Sequence, residues 1–333
     1  MKTLIIHIGY PKTATTTLQD GLFVPLHNQN IINYMGVAAF TDDSGFKKAS
    51  QLYKQLCGQL HDGYPEIELN DDKLNVLSNE MFTLPYLHRK INWNNNLEAH
   101  DFAELLSAYF KRRADQVKIL ITLRNQQTAI YSLYVQLSSM FIYKSPFKTA
   151  SSYVINENKQ VRKEQLLPYY YAENIKAYAD VFGQENIKIM LFEDFINNKT
   201  GYSKDLASFL NVNSQLLESL LAEKHLRAKQ KKAEGYLSEI KDRNIIQKLI
   251  LRLRHLKGFE RFYCFVKQHV KPGSLPHDIF RALIRIKTSK IQLVKYLSNE
   301  ELKMIYTEFK YTNLQLNKIY GVRLESLKKY GYV

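Results

Sequence analysis

The stretch G-Y-P-K-T-A-T-T-T, residues 9–17, follows the short apolar run L-I-I-H-I and holds a glycine, a proline, a lysine and four threonines. A buried strand that ends at Gly9, turns, and enters a helix near Thr15 aims several backbone N–H groups and the positive helix end at one point. That arrangement favours a bound phosphate or sulfate, and Lys12 adds a full positive charge. The comparison with the triphosphate-binding pattern G-x-x-x-x-G-K-[ST] fails: Lys12 comes three residues after Gly9, and no lysine immediately precedes Thr15, Thr16 and Thr17.

A second candidate lies in I-L-I-T-L-R-N-Q-Q-T-A-I-Y-S, where Arg124 ends an apolar run and Ser132 stands eight residues later. A guanidinium suits a dianion because its fork makes two parallel charge-assisted bonds. Helical spacing puts Ser132 on the face of residues 128 and 125, near the helix start where Arg124 enters. Taken alone, the pair reads equally well as part of a structural ion pair. In L-N-V-L-S-N-E-M-F, Glu80 sits just past another apolar run, at a strand end where ligands of open α/β sheets bind. It reads as a general base or as a helix-capping or lysine-paired carboxylate. His61 and Asp62, in Q-L-H-D-G-Y-P, are the alternative base pair, and His7 reads as a hydrogen-bonded core residue.

The 9–19 stretch resembles the 5′-phosphosulfate loop of the PAPS (3′-phosphoadenosine 5′-phosphosulfate)-dependent sulfotransferases, whose signature is P-K-[ST]-G-T-[ST]. The chain as a whole is similar to bacterial, carbohydrate-sulfotransferase-like members, over roughly residues 1–215 and 296–322. The resemblance implies PAPS as sulfuryl donor, with no metal. Lys12 would hold the bridging oxygen and the 5′-phosphate; Thr13, Ala14, Thr15, Thr16 and Thr17 would line the loop; Arg124 and Ser132 would hold the 3′-phosphate; and Glu80 would be the base. Catalysis would then rest on Lys12 and Glu80. Ala14 departs from the pattern, since the family has glycine there; a positive φ at alanine costs about 1–2 kcal/mol. The implied acceptor is a hydroxyl or amine of a glycan or glycolipid. Two other readings stand beside this one: a small-molecule kinase on the same P-loop-like core, and a polyanion-binding protein.

The elements that must position these residues alternate. Apolar, β-branched runs at 3–8, 74–77, 117–123 and 187–192 are separated by helical patterns such as 99–113 and 129–140, the pattern of a parallel sheet with crossover helices. The expected architecture is α/β: a P-loop-like core with a central parallel sheet flanked by helices, over 1–215, and a basic, helical C-terminal extension over 216–333 packing on it. Strand signals stop near residue 203. The net charge of +15 is concentrated: residues 224–290 carry 18 Lys and Arg against 5 acidic residues. Within that run, Ile245, Ile246, Leu249, Leu253 and Leu256 alternate with Lys248, Arg252, Arg254 and Lys257, which describes an amphipathic basic helix. It reads first as a helix packed on the sheet with a solvated charged face; a peripheral contact of residues 241–262 with an anionic membrane surface or an acidic glycan is the functional alternative, with nucleic acid the least favoured partner. The N-terminal apolar run is too short for a signal peptide, so the expected location is cytoplasmic, with peripheral association at the inner membrane face. Cys57 and Cys264, the two cysteines, support neither a disulfide framework nor a zinc site.

Overall fold

The computed structural model describes residues 1–36, 48–57, 64–83, 98–144, 147–222, 231–232, 235–243 and 287–333. They group into two compact units. The first comprises residues 1–133, 153–228 and 297–333; the second comprises 134–152 and 229–296.

The first unit is built on a five-stranded sheet of order β2-β3-β1-β4-β5. Its strands are β1 (Thr3–His7), β2 (Ile32–Tyr34), β3 (Leu74–Ser78), β4 (Gln116–Leu123) and β5 (Ile187–Leu191), all in parallel register. Ile6 of β1 stands opposite Leu77 on one side and Ile119 on the other. A central strand covered on both faces must be apolar at every position, and Leu4, Ile5 and Ile6 are all fully buried.

Between the strands run α1 (Thr15–Leu18), which continues through one π-helical turn (Gln19–Phe23) into α2 (Val24–Asn28), then α3 (Lys48–Leu56), α4 (Ala99–Phe110), α5 (Gln126–Lys144), α6 (Ala150–Val154), α7 (Lys163–Leu166) and α8 (Tyr171–Phe182). After β5 come α9 (Phe192–Asn197), α10 (Lys199–Leu210) and α11 (Ser214–Ala222). On one face of the sheet, Ile5, Val76, Leu120 and Met190 pack with Leu18, Leu22 and Phe23 of the first helical run and with Leu206, Leu210, Leu217 and Leu221. On β4, α8 packs between α4 and the long helix α12 (Asn299–Tyr320), and α13 (Leu324–Lys329) follows. Ser298 and Glu301 form a reciprocal capping box at the start of α12, and Gly321 ends it with φ 68°, where a side chain would be strained.

The connection leaving β1 runs toward β2, and the one leaving β4 runs toward β5, in opposite directions from adjacent strands. The crevice at such a reversal is where open α/β sheets take ligands.

The second unit contains a three-stranded antiparallel sheet of β6 (Lys231–Lys232), β7 (Gly235–Arg243) and β8 (Lys287–Lys295). This departs from the expected end of strand signals near 203. Gly235 pairs with Lys295 and Arg243 with Lys287, so the pairing joins segments tens of residues apart and leaves little trace in a local sequence window. Residues 241–243, the start of the expected membrane contact, lie in a strand. The expected amphipathic helix lies outside the described residues, as do Cys264, His61 and Asp62. Among the described residues, no helix is long and apolar enough to cross a membrane. Cys57 is buried, and burial pushes its thiol up to about 11.

Candidate active site

Beyond His7 the chain keeps ladder bonds to β4, from the Ile8 amide to the Leu120 carbonyl at 2.9 Å and from the Tyr10 amide to the Thr122 carbonyl at 3.3 Å. It then reverses sharply. Lys12 and Ala14 both take left-handed backbone conformations, with φ of 69° and 62°, and the amide and hydroxyl of Thr13 both donate to the Tyr10 carbonyl. Ala14 is the N-cap of α1, and the first intrahelical bond runs from the Leu18 amide to the Ala14 carbonyl at 3.0 Å. The amides of Thr15, Thr16 and Thr17 therefore have no carbonyl one turn earlier in the helix. Left-handed residues in alternation with the helix start turn successive N–H groups toward one concavity, an anion nest. A Cβ added at Gly9 would come within 2.7 Å of His7 Nε2 and of Thr15 Cγ2, so the loop closes only with glycine there.

Two other segments arrive at this loop. Glu80 opens a 3-10 turn (Glu80–Thr83) directly after β3. The turn is fixed by bonds from the Met81 amide to Asn79 Oδ1 at 2.9 Å, from Asn79 Nδ2 to the Ala49 carbonyl at 3.2 Å, and from the Tyr178 hydroxyl to the Phe82 carbonyl at 2.6 Å. Thr15 Oγ1 donates to Glu80 Oε2 at 2.9 Å. From β4, Arg124 Nη1 donates to the Lys12 carbonyl at 2.9 Å and Nε to Thr128 Oγ1 at 3.0 Å, with the guanidinium 4.6 Å above the Phe192 ring. The structure thus brings together the three segments singled out in the sequence. Thr13, Thr15 and Thr17 are buried, while Lys12, Ala14, Thr16 and Glu80 are half-buried. Ser132 is half-buried one turn beyond Thr128 on the same face of α5.

Beneath the loop, His7 is fully buried, with Nδ1 at 2.8 Å from Ser78 Oγ, which also accepts from Gln19 Nε2 at 3.0 Å. Burial pushes its imidazole down to about 3, so it is neutral at physiological pH, as befits a core residue.

Local sequence reasoning did not find the residues that steady Arg124. Thr128 and Phe192 touch its guanidinium, and the Tyr171 hydroxyl donates to its carbonyl at 2.7 Å. Glu193 accepts from the Asn125 amide at 2.8 Å and from the Tyr332 hydroxyl at 3.0 Å. Burial raises the Glu193 carboxyl above the ordinary value, against the pull of these donors and of Arg124. The one signal available was an acidic pair, Glu193 and Asp194, immediately after an apolar strand.

This donor set of nest amides, hydroxyls, one ammonium and one guanidinium is of the kind that takes a phosphate or sulfate anion. Among known structures the chain is similar to a sulfotransferase from Alicyclobacillus acidocaldarius, at 17% identity and a TM-score of 0.39, covering 63% of this chain and 81% of that one. It is also similar to mouse sulfotransferase SULT7A1 complexed with PAP, at 14% identity and a TM-score of 0.32, covering 67% of this chain and 64% of that one. No curated protein sequence matches it. A family model described as the sulfotransferase domain matches residues 2–255, well over half of the chain. The chain therefore belongs to the sulfotransferase family and is an enzyme of that PAPS-dependent class.

Proposed function

We propose that the chain transfers the sulfuryl group of PAPS in line to a hydroxyl or amine of a glycan or glycolipid acceptor, without help from a metal ion. When bound, PAPS supplies a sulfuryl group already joined to a phosphate leaving group. The amides of Thr15, Thr16 and Thr17, with the hydroxyls of Thr16 and Thr17, would hold the 5′ end, and Lys12 would place its ammonium where negative charge grows on the departing phosphate oxygen. Arg124 and Ser132 would hold the 3′-phosphate. Glu80 takes the proton from the acceptor: Thr15 Oγ1 donates to Oε2 and orients the carboxylate, leaving Oε1 to accept.

The observation that carries this reading is the meeting of Lys12 and Arg124, 112 residues apart in sequence, with the Arg124 guanidinium on the Lys12 carbonyl. A glycan-type acceptor is supported by a glutamate at the base position and by the resemblance to carbohydrate-type members. The test is sulfuryl transfer from PAPS to a panel of oligosaccharides, glycolipids, phenols and amines, read as PAP release and product mass. Activity confined to the sugars supports the reading. Activity on phenols alone overturns the acceptor class, and phosphoryl transfer from ATP with magnesium overturns the reaction.

A further inference from the structure

We propose that the segment at residues 330–332, remote in sequence from the loop, is a positioning element that sets Arg124 for a 3′-phosphate; this rests on the sulfuryl-transfer reading above. Asn125, the residue after Arg124, is held on both its groups. Its amide donates to Glu193 Oε1 at 2.8 Å, and its side-chain Nδ2 donates to the carbonyls of Tyr330 and Gly331 at 3.0 and 2.8 Å. The second oxygen of Glu193 accepts from the Tyr332 hydroxyl at 3.0 Å, which closes a ring of bonds from Asn125 through Glu193 to residues 331–332 and back. Tyr332 is 1% exposed, so its bond to the carboxylate is made away from water, where a charge-assisted bond is strong and its loss leaves a buried group unmet.

The next residue is fixed as well. Gln126 Nε2 donates to Asn313 Oδ1 at 2.7 Å, Asn313 Nδ2 returns a bond to Gln126 Oε1 at 3.1 Å, and the same Nδ2 donates to the Tyr332 carbonyl at 2.9 Å. Glu193 also follows Phe192, whose ring lies under the Arg124 guanidinium. The anchoring carboxylate and the supporting ring therefore move together. The backbone after Arg124 cannot turn without breaking this buried set, and the guanidinium stays over the Phe192 ring with Nε on Thr128 and Nη1 on the Lys12 carbonyl. None of these bonds is made to the loop at residues 12–17, whose link to them is the single bond from Arg124 Nη1 to the Lys12 carbonyl, so loosening them acts first on the guanidinium end of the nucleotide.

The test compares the affinities of PAP and of adenosine 5′-phosphate, which lacks the 3′-phosphate, by calorimetry on the full chain. In Tyr332→Phe the ratio of the two affinities is expected to fall about five- to tenfold, nearly all of it from weaker PAP. Glu193→Gln, which keeps the shape and exchanges one acceptor for a donor, is expected to lower the ratio in the same direction, and it serves as the reading should Tyr332→Phe fail to fold. Equal weakening of both nucleotides, or a lowered melting temperature with an unchanged ratio, overturns the proposal and leaves residues 330–332 a structural prop. A wild-type protein that binds the two nucleotides equally overturns the assignment of Arg124 on which the proposal stands.

Discussion

Replacing His7 by Asn keeps a hydrogen-bonding atom near the position of Nδ1 while removing the titratable ring, and it should flatten the dependence of stability on pH. The wild-type imidazole is fully buried and pushed down to about 3 from an ordinary 6.5. A group whose folded value is depressed binds fewer protons in the native state than in the unfolded chain. Its contribution is therefore complete above 6.5 and is lost as pH falls toward 3. The slope approaches about 1.4 kcal/mol per pH unit inside that window, so going from pH 7.5 to pH 5 should remove roughly 2 kcal/mol through this residue alone. Urea unfolding at a series of pH values measures it, as the difference in slope between wild type and His7→Asn; other titrating groups cancel in that difference. The variant will start from lower stability because the smaller side chain leaves a void, which does not alter the slope. Parallel curves for the two proteins would refute the buried, neutral imidazole.

Lys12→Ala should lower turnover by about 10²–10³, the range for loss of one preorganised donor, with a smaller effect on folding, read by steady-state kinetics alongside thermal melts. Glu80→Gln should reduce transfer by about 10²–10⁴ while PAP binding by calorimetry persists; retained activity would move the role to His61 or Asp62. Ser132→Ala should cost about 1 kcal/mol of PAP affinity. Ala14→Val should destabilise by more than about 1 kcal/mol in urea, because a β-branched side chain meets the left-handed backbone poorly, whereas Ala14→Gly should stabilise by up to about 1 kcal/mol by relieving the positive φ.

The parts of the site that were legible in the sequence are those set by neighbouring residues. Apolar runs gave β1, β3, β4 and β5 to within a residue or two, and Lys12, Glu80 and Arg124 stand at or just beyond their C-terminal ends, where a parallel sheet collects such groups. Ala14 raised the question of a positive φ from its type alone, and the structure answers it at 62°. What stayed hidden depends on distant pairing. β2 is three residues long, too short to show a period. The joining of Asn125 to Glu193 and to residues 330–332 spans 68 to 206 positions. It is made by ordinary Asn, Glu and Tyr side chains whose local surroundings point to nothing. The antiparallel pairing of β7 with β8 was missed for the same reason, since it joins residues 235–243 to 287–295 across a long stretch of chain.

The central claim, that Lys12 and Arg124 hold the two ends of one nucleotide, is tested most directly by kcat/KM with PAPS and with adenosine 5′-phosphosulfate, which lacks the 3′-phosphate, in wild type and in Arg124→Ala. The expected result is a wild-type preference for PAPS, and a loss of about 10- to 150-fold on PAPS in the variant with adenosine 5′-phosphosulfate barely affected, the equivalent of roughly 1.5–3 kcal/mol in charge-assisted bonds. Equal losses on the two donors, or no wild-type preference between them, would contradict it.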